Sequence, residues 1–229
     1  MGALVEIRDV SKIYNPGENE VRALDHVNVT IDEGEFVAII GQSGSGKSTL
    51  MNMLGCLDVP TSGEYILHGQ NVSELSDNEL SDIRNREIGF IFQGFNLIPN
   101  LTALENVELP LIYRGVGKTK RVKLSETALA KVGLEHRMDH KPSEMSGGQQ
   151  QRVAIARAIA QAPPVILADE PTGNLDSHST QEILAILREL HDEGRTVILI
   201  THDNEIAAQA KRVIKIKDGC IESDSGREA

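Results

Sequence analysis

Nine residues near the start of the chain, Gly41 to Thr49, leave the least freedom for the fold. They read Gly-Gln-Ser-Gly-Ser-Gly-Lys-Ser-Thr and fit the phosphate-loop pattern G-x-x-x-x-G-K-[ST]. In that pattern the backbone curls around an anion, and glycine permits the backbone angles and the close approach that the curl requires. We therefore predict that a nucleotide's phosphates contact Gly41, Gln42, Ser43, Gly44, Ser45, Gly46, Lys47, Ser48 and Thr49.

Two side chains of this loop carry the predicted chemistry. Lys47 provides a positive charge where the β- and γ-phosphates lie, and the Ser48 hydroxyl is a hard oxygen ligand of the kind that Mg²⁺ prefers. The apolar run Phe36–Ile40 before the loop predicts a strand buried on both faces. After the loop, Leu50, Met53, Leu54 and Leu57 follow helical spacing. The sequence therefore predicts a strand, a phosphate loop and a helix whose positive end meets the phosphates.

Two further apolar runs end in polar residues. Val165 to Ala168 predicts a buried strand that ends in Asp169 and Glu170, where one carboxylate can hold Mg²⁺ and the other can address an attacking water. The alternative is a strand that ends in solvent. A second run, 197–200, leads to His202, which either contacts a terminal phosphate or belongs to a loop before a helix capped by Asp203 or Asn204.

A second helix N-terminus is predicted at Ser146, because a serine followed three residues later by a glutamine, Gln149, is a capping-box pattern. Gly147 and Gly148 leave the backbone there bare enough for an anion to approach the helix end. From chemistry alone, a plain helix cap explains the pattern equally well.

The remaining segments predict an α/β fold with a P-loop NTPase (RecA-like) core, an antiparallel β subdomain and an inserted α-helical subdomain. Alternating apolar residues on either side of Pro16-Gly17 predict antiparallel strands, and Tyr14 in this segment is either a base-stacking aromatic or an ordinary strand residue. The composition changes after Gln93, with helical patterns broken at Pro99 and Pro110 among other positions. We predict a single domain, 1–229, with the core and β subdomain in 1–93 and 150–229 and a helical subdomain in 94–149.

Composition excludes several classes of protein. A formal net charge of −11 argues against a sequence-independent nucleic-acid binder, so we expect no nucleic acid among the partners. The two cysteines, Cys56 and Cys220, form no metal-binding pattern and suit a reducing cytoplasm. No export signal is visible, and the apolar runs are far shorter than the ~18 residues of a membrane span. Any membrane association is expected to come through a partner.

With these motifs assembled, the chain resembles the nucleotide-binding subunits of ABC transporters over nearly its full length. Met145-Ser146-Gly147-Gly148-Gln149 is similar to the ABC signature, which usually begins with leucine. The resemblance implies that Tyr14 stacks on the base, that Gln93 senses Mg²⁺ and water, and that Glu170 is the catalytic carboxylate. It also implies that Asp176 lies in a subunit-contact loop and that His202 is a switch histidine. ATP and Mg²⁺ are the implied cofactors, with Ser48, Gln93 and Asp169 around the metal.

The resemblance further implies an ATP-dependent homodimer in which Ser146, Gly147, Gly148 and Gln149 complete the partner copy's site. An integral membrane permease is the implied second partner, with a periplasmic or extracellular adaptor as a third. The subunit would then lie at the cytoplasmic face of the inner membrane, held there through the permease. Gly55-Cys56-Leu57-Asp58 and Asn106–Pro110 look most like subunits of macrolide-exporter and lipoprotein-release systems. The alternative is a soluble ABC ATPase of translation or DNA repair, although such proteins typically carry two cassettes or a coiled-coil insertion.

Overall fold

A computed structural model describes residues 2–17 and 19–226, and it divides them into two compact units. The first unit takes in the described residues up to Arg84 and those from Gly194 onward, and the second runs from Asn85 to Glu193. The predicted helical subdomain, 94–149, lies within the second unit. That these residues form a subdomain of their own remains a prediction.

The elements follow one another along the chain in a mixed order of strands and helices. They are β1 (Ala3–Tyr14), β2 (Val21–Asp32), β3 (Phe36–Ile40), α1 (Lys47–Leu54), β4 (Ser62–Leu67), β5 (Gln70–Asn71), α2 (Asp77–Glu87), β6 (Ile88–Phe92), α3 (Ala103–Tyr113), α4 (Lys118–Lys131), a 3₁₀ turn (Pro142–Glu144), α5 (Gly147–Ile159), β7 (Val165–Asp169), α6 (Ser177–Asp192), β8 (Thr196–Thr201), α7 (Asn204–Ala207), β9 (Arg212–Lys217) and β10 (Cys220–Asp224).

The first unit contains antiparallel and parallel strand pairing, as the apolar patterns predict. An antiparallel sheet has the order β2-β1-β4-β5, and the predicted pairing across Pro16-Gly17 is confirmed by the register Ile7↔Val29. Strand β3 instead pairs in parallel with β8 on one side and with β9 on the other. Its first four residues are buried, which is typical of a strand covered on both faces. The strand that leads into the phosphate loop is therefore central to its own set of parallel strands.

Helix α1 is shorter than its apolar spacing predicts. The helix ends at Leu54 with Gly55 as its C-cap, and Cys56 then takes a left-handed backbone with φ 51°. Leu57, predicted to continue the buried stripe, is 49% exposed. The chain turns because glycine and a left-handed residue end the helical hydrogen bonds one turn before the apolar spacing does.

The second unit pairs β6 with β7 in parallel, and helices make up most of the rest. The predicted break at Pro110 is wrong, because α3 continues through it to Tyr113. Proline removes only one helical hydrogen bond, and the apolar side chains of Val107 and Leu111 on the same helix are fully buried. Within 2–17 and 19–226, every helix falls short of the length and apolar character that a bilayer crossing needs.

Candidate functional site

The phosphate loop of the first unit has a backbone that only glycine allows at two positions. A Cβ on Gly41 would lie 2.4 Å from the Ile216 carbonyl oxygen and 2.5 Å from Ser45 Oγ. Gly46 has a φ of 102°, and a Cβ there would lie 2.6 Å from the Ala23 carbonyl oxygen. Neither distance is possible for a real side chain. The glycines of the pattern are thus required by the packing of the loop against β2 and β9.

The loop also presents unused polar groups. Gly46 has no side chain with which to cap α1, so the N-cap residue accepts no side-chain hydrogen bond from the first helical turn. The buried Ser45 hydroxyl has no hydrogen-bond partner within the described part of the chain, while the Ser45 carbonyl accepts from Gly219 N at 2.9 Å. Gln42, Ser43, Gly44 and Ser48 are exposed. These features suit an anion that lies within the loop.

Lys47 is held at the rim of this loop by the loop itself. Its Nζ donates to the carbonyl oxygens of Gly41 at 2.6 Å and Gln42 at 2.7 Å. The ammonium is therefore fixed over the same backbone whose N–H groups are predicted to face phosphate. Thr49, two residues further along α1, is half-buried.

Tyr14 lies at the end of β1 with its ring flanked by charged groups. The hydroxyl donates to Asp58 Oδ2 at 2.8 Å, and Lys12 Nζ lies 5.1 Å from the ring centroid. Burial and the hydrogen bond to Asp58 raise the pKa of Tyr14, while the Thr49 hydroxyl acts in the opposite direction. The tyrosine is half-buried, and its predicted stacking role remains a prediction.

His202 follows β8 in the first unit and is exposed. The next residue is the predicted helix cap: the Asp203 carboxylate accepts from Glu205 N at 2.8 Å and from Ile206 N at 3.3 Å. The cap at Asp203 is therefore confirmed, and α7 extends only to Ala207. The switch role of His202 remains a prediction.

In the second unit, two predicted site residues lie at adjacent strand ends. Asp169, the last residue of β7, is in register with Phe92, which immediately precedes Gln93. Glu170 has a left-handed backbone with φ 43°, and its carbonyl oxygen accepts from Gly173 N at 3.0 Å. Non-glycine residues pay for this conformation, and such strain concentrates at functional sites.

The side chain of Gln93 packs against the turn that follows Glu170. Asn174 Nδ2 donates to the Gln93 carbonyl at 3.1 Å, and Gln93 Nε2 lies 3.5 Å from Asn174 Oδ1. A Cβ on Gly173 would lie 2.6 Å from Gln93 Nε2, so glycine at this position makes room for the glutamine. The second unit thereby brings Gln93 and the Glu170 turn together.

Gln151 on α5 makes contacts near the site that the sequence did not predict. The residue is fully buried, and its Nε2 donates to the carbonyl oxygens of Phe92 at 3.3 Å and Pro171 at 2.6 Å. Those carbonyls precede Gln93 and follow Glu170, so one amide ties α5 to both segments. A polar residue inside an otherwise apolar helix face is the signal that could have identified it.

The predicted capping box at the start of α5 is confirmed. Ser146 Oγ accepts from Gln149 N at 3.3 Å, and Gln149 Oε1 accepts from Ser146 N at 3.0 Å. A Cβ on Gly148 would lie 2.6 Å from Ser179 Oγ and 2.9 Å from Ser179 Cβ. On Gly147 the nearest atom would be Leu175 Cδ2 at 3.5 Å, an ordinary contact.

Asp176, predicted to contact a second subunit, caps α6. Its carboxylate accepts from Ser179 N at 3.0 Å and from Ser179 Oγ at 2.8 Å. These bonds, the backbone N–H first, lower the pKa of Asp176, so the carboxylate is ionised at neutral pH. Ser179 thus donates to Asp176 and also fills the space that a side chain on Gly148 would need.

The obligatory glycines, the uncapped helix and the lysine of the first unit define a nucleotide-binding protein of the P-loop class. A family model described as ABC transporter matches residues 24–173. The macrolide export ATP-binding/permease protein MacB of Hyphomonas neptunium is 58% identical over 98% of this chain and 35% of its own length. The protein of the same name from Photorhabdus laumondii is 54% identical, over 100% of this chain and 35% of its own length. The chain spans about a third of the length of these relatives.

Two solved structures are similar over nearly the whole chain. A dimeric structure of MJ0796, a bacterial ABC transporter cassette, has a TM-score of 0.88 at 50% identity and covers 96% of this chain and 97% of its own. A dimeric post-hydrolysis state of the same cassette, bound to ADP and Pi, gives the same values. The chain belongs to the ABC transporter family. The predicted α/β cassette fold is confirmed, and the chain is an ABC-type ATPase cassette that binds nucleotide.

Proposed function

We propose that this cassette binds ATP with Mg²⁺, hydrolyses it between two copies of the chain, and so drives a membrane permease. The observation that carries the proposal is the phosphate loop of the first unit. Gly41 and Gly46 leave no room there for a side chain, and the Lys47 ammonium is held on the loop's own carbonyl oxygens. Helix α1 begins at Lys47 without a side-chain cap. The hard oxygens of Ser48 and Asp169, with the amide of Gln93, suit Mg²⁺ as ligands. The metal would neutralise phosphate charge when bound.

The proposed catalytic roles follow from residue chemistry. Glu170 accepts a proton from the attacking water, and its backbone turn is held by the hydrogen bond from Gly173 N. Gln93 orients the water, supported by its contacts with Gly173 and Asn174. His202 stabilises the terminal phosphate, and Tyr14 stacks on the adenine. Asp176 contributes to the contact between copies as well as capping its own helix.

We further propose that the start of α5 completes the site of the partner copy. Ser146, Gly147, Gly148 and Gln149 form a capped helix end whose glycines leave backbone N–H groups open to an anion. MJ0796, which is 50% identical in sequence to this chain, has a dimeric structure in a state bound to ADP and Pi. ATP binding would close the pair, and hydrolysis would open it.

Mixed variants test the shared site. Gly147→Asp places a carboxylate at the start of α5, where it repels phosphate yet favours the helix through its dipole. Gly147 is chosen over Gly148 because a side chain on Gly148 would strike Ser179 regardless of any ligand. A mixed pair of Gly147→Asp with Lys47→Ala has one intact site, so ATP-dependent pairing should appear in the mixture although each variant alone fails to pair.

The matched control for this mixture is Gly147→Ala, which adds a Cβ at ordinary contact distance from Leu175 without a charge and should pair with itself in ATP. Pairing is measured by energy transfer between labelled chains. If the mixture associates no more than each variant does alone, the helix start does not complete a neighbour's site.

The permease is proposed as the protein that ATP closure drives. The supporting observation is that relatives at 54–58% identity are named macrolide export ATP-binding/permease proteins. This chain matches about a third of the length of each of them. We propose an export or lipoprotein-extraction system, with the cassette at the cytoplasmic face of the inner membrane. A periplasmic or extracellular adaptor would extend such a system outward.

Native membranes test this proposal. A detergent extract purified on antibodies to the cassette should contain a multi-span protein, either as a separate subunit or as part of the same longer polypeptide. The ATPase rate should respond to that membrane part. Recovery with ribosomes or DNA-repair complexes, and with no membrane protein, would instead support the alternative of a soluble ABC ATPase.

A further inference from the structure

The carboxylate of Asp58 joins the end of the phosphate-loop helix to the end of β1. Oδ1 accepts from Lys12 Nζ at 2.6 Å and from Val59 N at 2.8 Å, while Oδ2 accepts from the Tyr14 hydroxyl at 2.8 Å. Lys12 Nζ also donates to the Val59 carbonyl at 2.8 Å. Both carboxylate oxygens are thus used, and each one holds a different side chain of β1.

The two residues of β1 are held as a pair. Lys12 and Tyr14 are two positions apart on the strand, so both side chains extend from the same face. Lys12 Nζ lies 5.1 Å from the tyrosine ring centroid, within the range of cation–π attraction. The Lys12 side chain is 12% exposed and that of Asp58 25% exposed, so water weakens this ion pair less than it would a surface pair.

The protonation states fix which group donates. Burial alone would raise the pKa of Asp58, but the hydrogen bonds from Lys12 and Tyr14 lower it overall. Burial and the bond to Asp58 raise the pKa of Tyr14. At neutral pH the carboxylate is therefore charged, and the phenol keeps its proton as the donor.

Asp58 is also tied to α1, the helix that begins at Lys47. Leu57 N and Asp58 N donate to the Asn52 carbonyl at 2.8 Å and 3.3 Å. The position of the carboxylate is therefore set by the same helix that presents the phosphate loop. The Tyr14 ring, hydrogen-bonded to Asp58, is thereby held relative to the helix that follows the phosphate loop.

We propose that Asp58 is a positioning residue for the nucleotide base: it holds Tyr14 by its hydroxyl, with Lys12 against the ring, so that an aromatic base can stack without first ordering the tyrosine. The inference rests on the proposed stacking role of Tyr14. A base gains most from an aromatic ring that is already immobilised, because less side-chain freedom is lost on binding. Losing the tether should weaken binding of a base-containing nucleotide about 3- to 10-fold.

The test compares ADP with pyrophosphate, both with Mg²⁺, by titration calorimetry on the whole chain. Pyrophosphate occupies the phosphate loop but has no base. Asp58→Ala and Tyr14→Phe should each weaken ADP binding about 3- to 10-fold and leave pyrophosphate binding unchanged. The double variant should lose no more than Asp58→Ala alone, because that change already removes the bond from the Tyr14 hydroxyl. Asp82→Ala, which removes an exposed carboxylate of α2, is the matched control and should bind like the unmodified chain.

The outcomes distinguish the positioning role of Asp58 from the stacking role of Tyr14 on which it rests. If Tyr14→Ala weakens ADP binding but Asp58→Ala and Tyr14→Phe do not, stacking stands and the tether is wrong. If Tyr14→Ala has no effect, the stacking role itself fails. Equal weakening of ADP and pyrophosphate in Asp58→Ala would show that the residue supports the phosphate loop and not the base. Should Asp58→Ala fail to fold, Tyr14→Phe alone decides, since an unchanged ADP affinity there overturns the proposal.

Discussion

Glu170→Gln should stop ATP turnover while leaving ATP bound, so that closed dimers accumulate. Glutamine keeps the shape of the side chain but cannot accept a proton from water, and loss of a general base typically lowers a rate by about 10²- to 10⁴-fold. The backbone strain at this position is the same for both residues, because neither is glycine. Phosphate release measures turnover, and light scattering with and without ATP measures the size of the complex.

Glu126→Gln is the matched control for this variant, because it neutralises an exposed glutamate on α4 of the same unit. Its turnover should equal that of the unmodified chain. Two results would contradict the assignment of Glu170: turnover near the unmodified rate in Glu170→Gln, or a monomer at every ATP concentration at which ATP is shown to be bound.

Lys47→Ala should weaken ATP binding about 10- to 150-fold, because a charge-assisted hydrogen bond to phosphate is lost. The same change removes the bonds from Lys47 Nζ to the carbonyls of Gly41 and Gln42. The loop therefore loses an internal tie as well as its cation, and turnover should fall with binding. Calorimetry with ATP, at a temperature where unfolding is absent, measures the affinity.

The control for Lys47 is Lys118→Ala, which removes an exposed lysine at the start of α4. Its ATP affinity should be unchanged, and it should unfold at nearly the same temperature as the unmodified chain. An unimpaired ATP affinity in Lys47→Ala would mean that the phosphates do not meet this lysine.

Features with a local cause could be predicted from the sequence. The capping box at Ser146 and Gln149 depends on residues three positions apart, and the structure contains both of its hydrogen bonds. Strand β3 could be predicted because its apolar run lies directly before a glycine-rich loop. In both cases neighbouring residues determine the geometry, so no distant part of the chain has to be known.

Two predictions were wrong where packing outweighs local pattern. Proline usually ends a helix, yet Pro110 lies inside α3 because the buried face of that helix continues past it. Leu57 fits the spacing of α1, yet it is exposed because Gly55 and Cys56 turn the chain first. Spacing shows which residues can share a face, but not where the helix stops.

Partners that are distant in sequence could not be predicted at all. Asp58 meets Tyr14 across 44 positions, and Gln151 meets Phe92 across 59. Asp58 ends the segment Gly55-Cys56-Leu57-Asp58, but that resemblance names no contact for it, and Gln151 belongs to no predicted site. Such contacts follow only from the completed tertiary structure.

The pairing of β3 has a consequence for how the chain is made. Ile39 of β3 pairs with Ile200 on one side and with Ile214 on the other. Both neighbours are synthesised long after β3 itself, so this apolar strand waits roughly ten to thirty seconds on the ribosome for its partners. Closing such distant pairs is slow, and an unpaired apolar strand is prone to aggregate meanwhile. Until β8 and β9 have been made, the strand that leads into the phosphate loop therefore lacks both of its parallel neighbours.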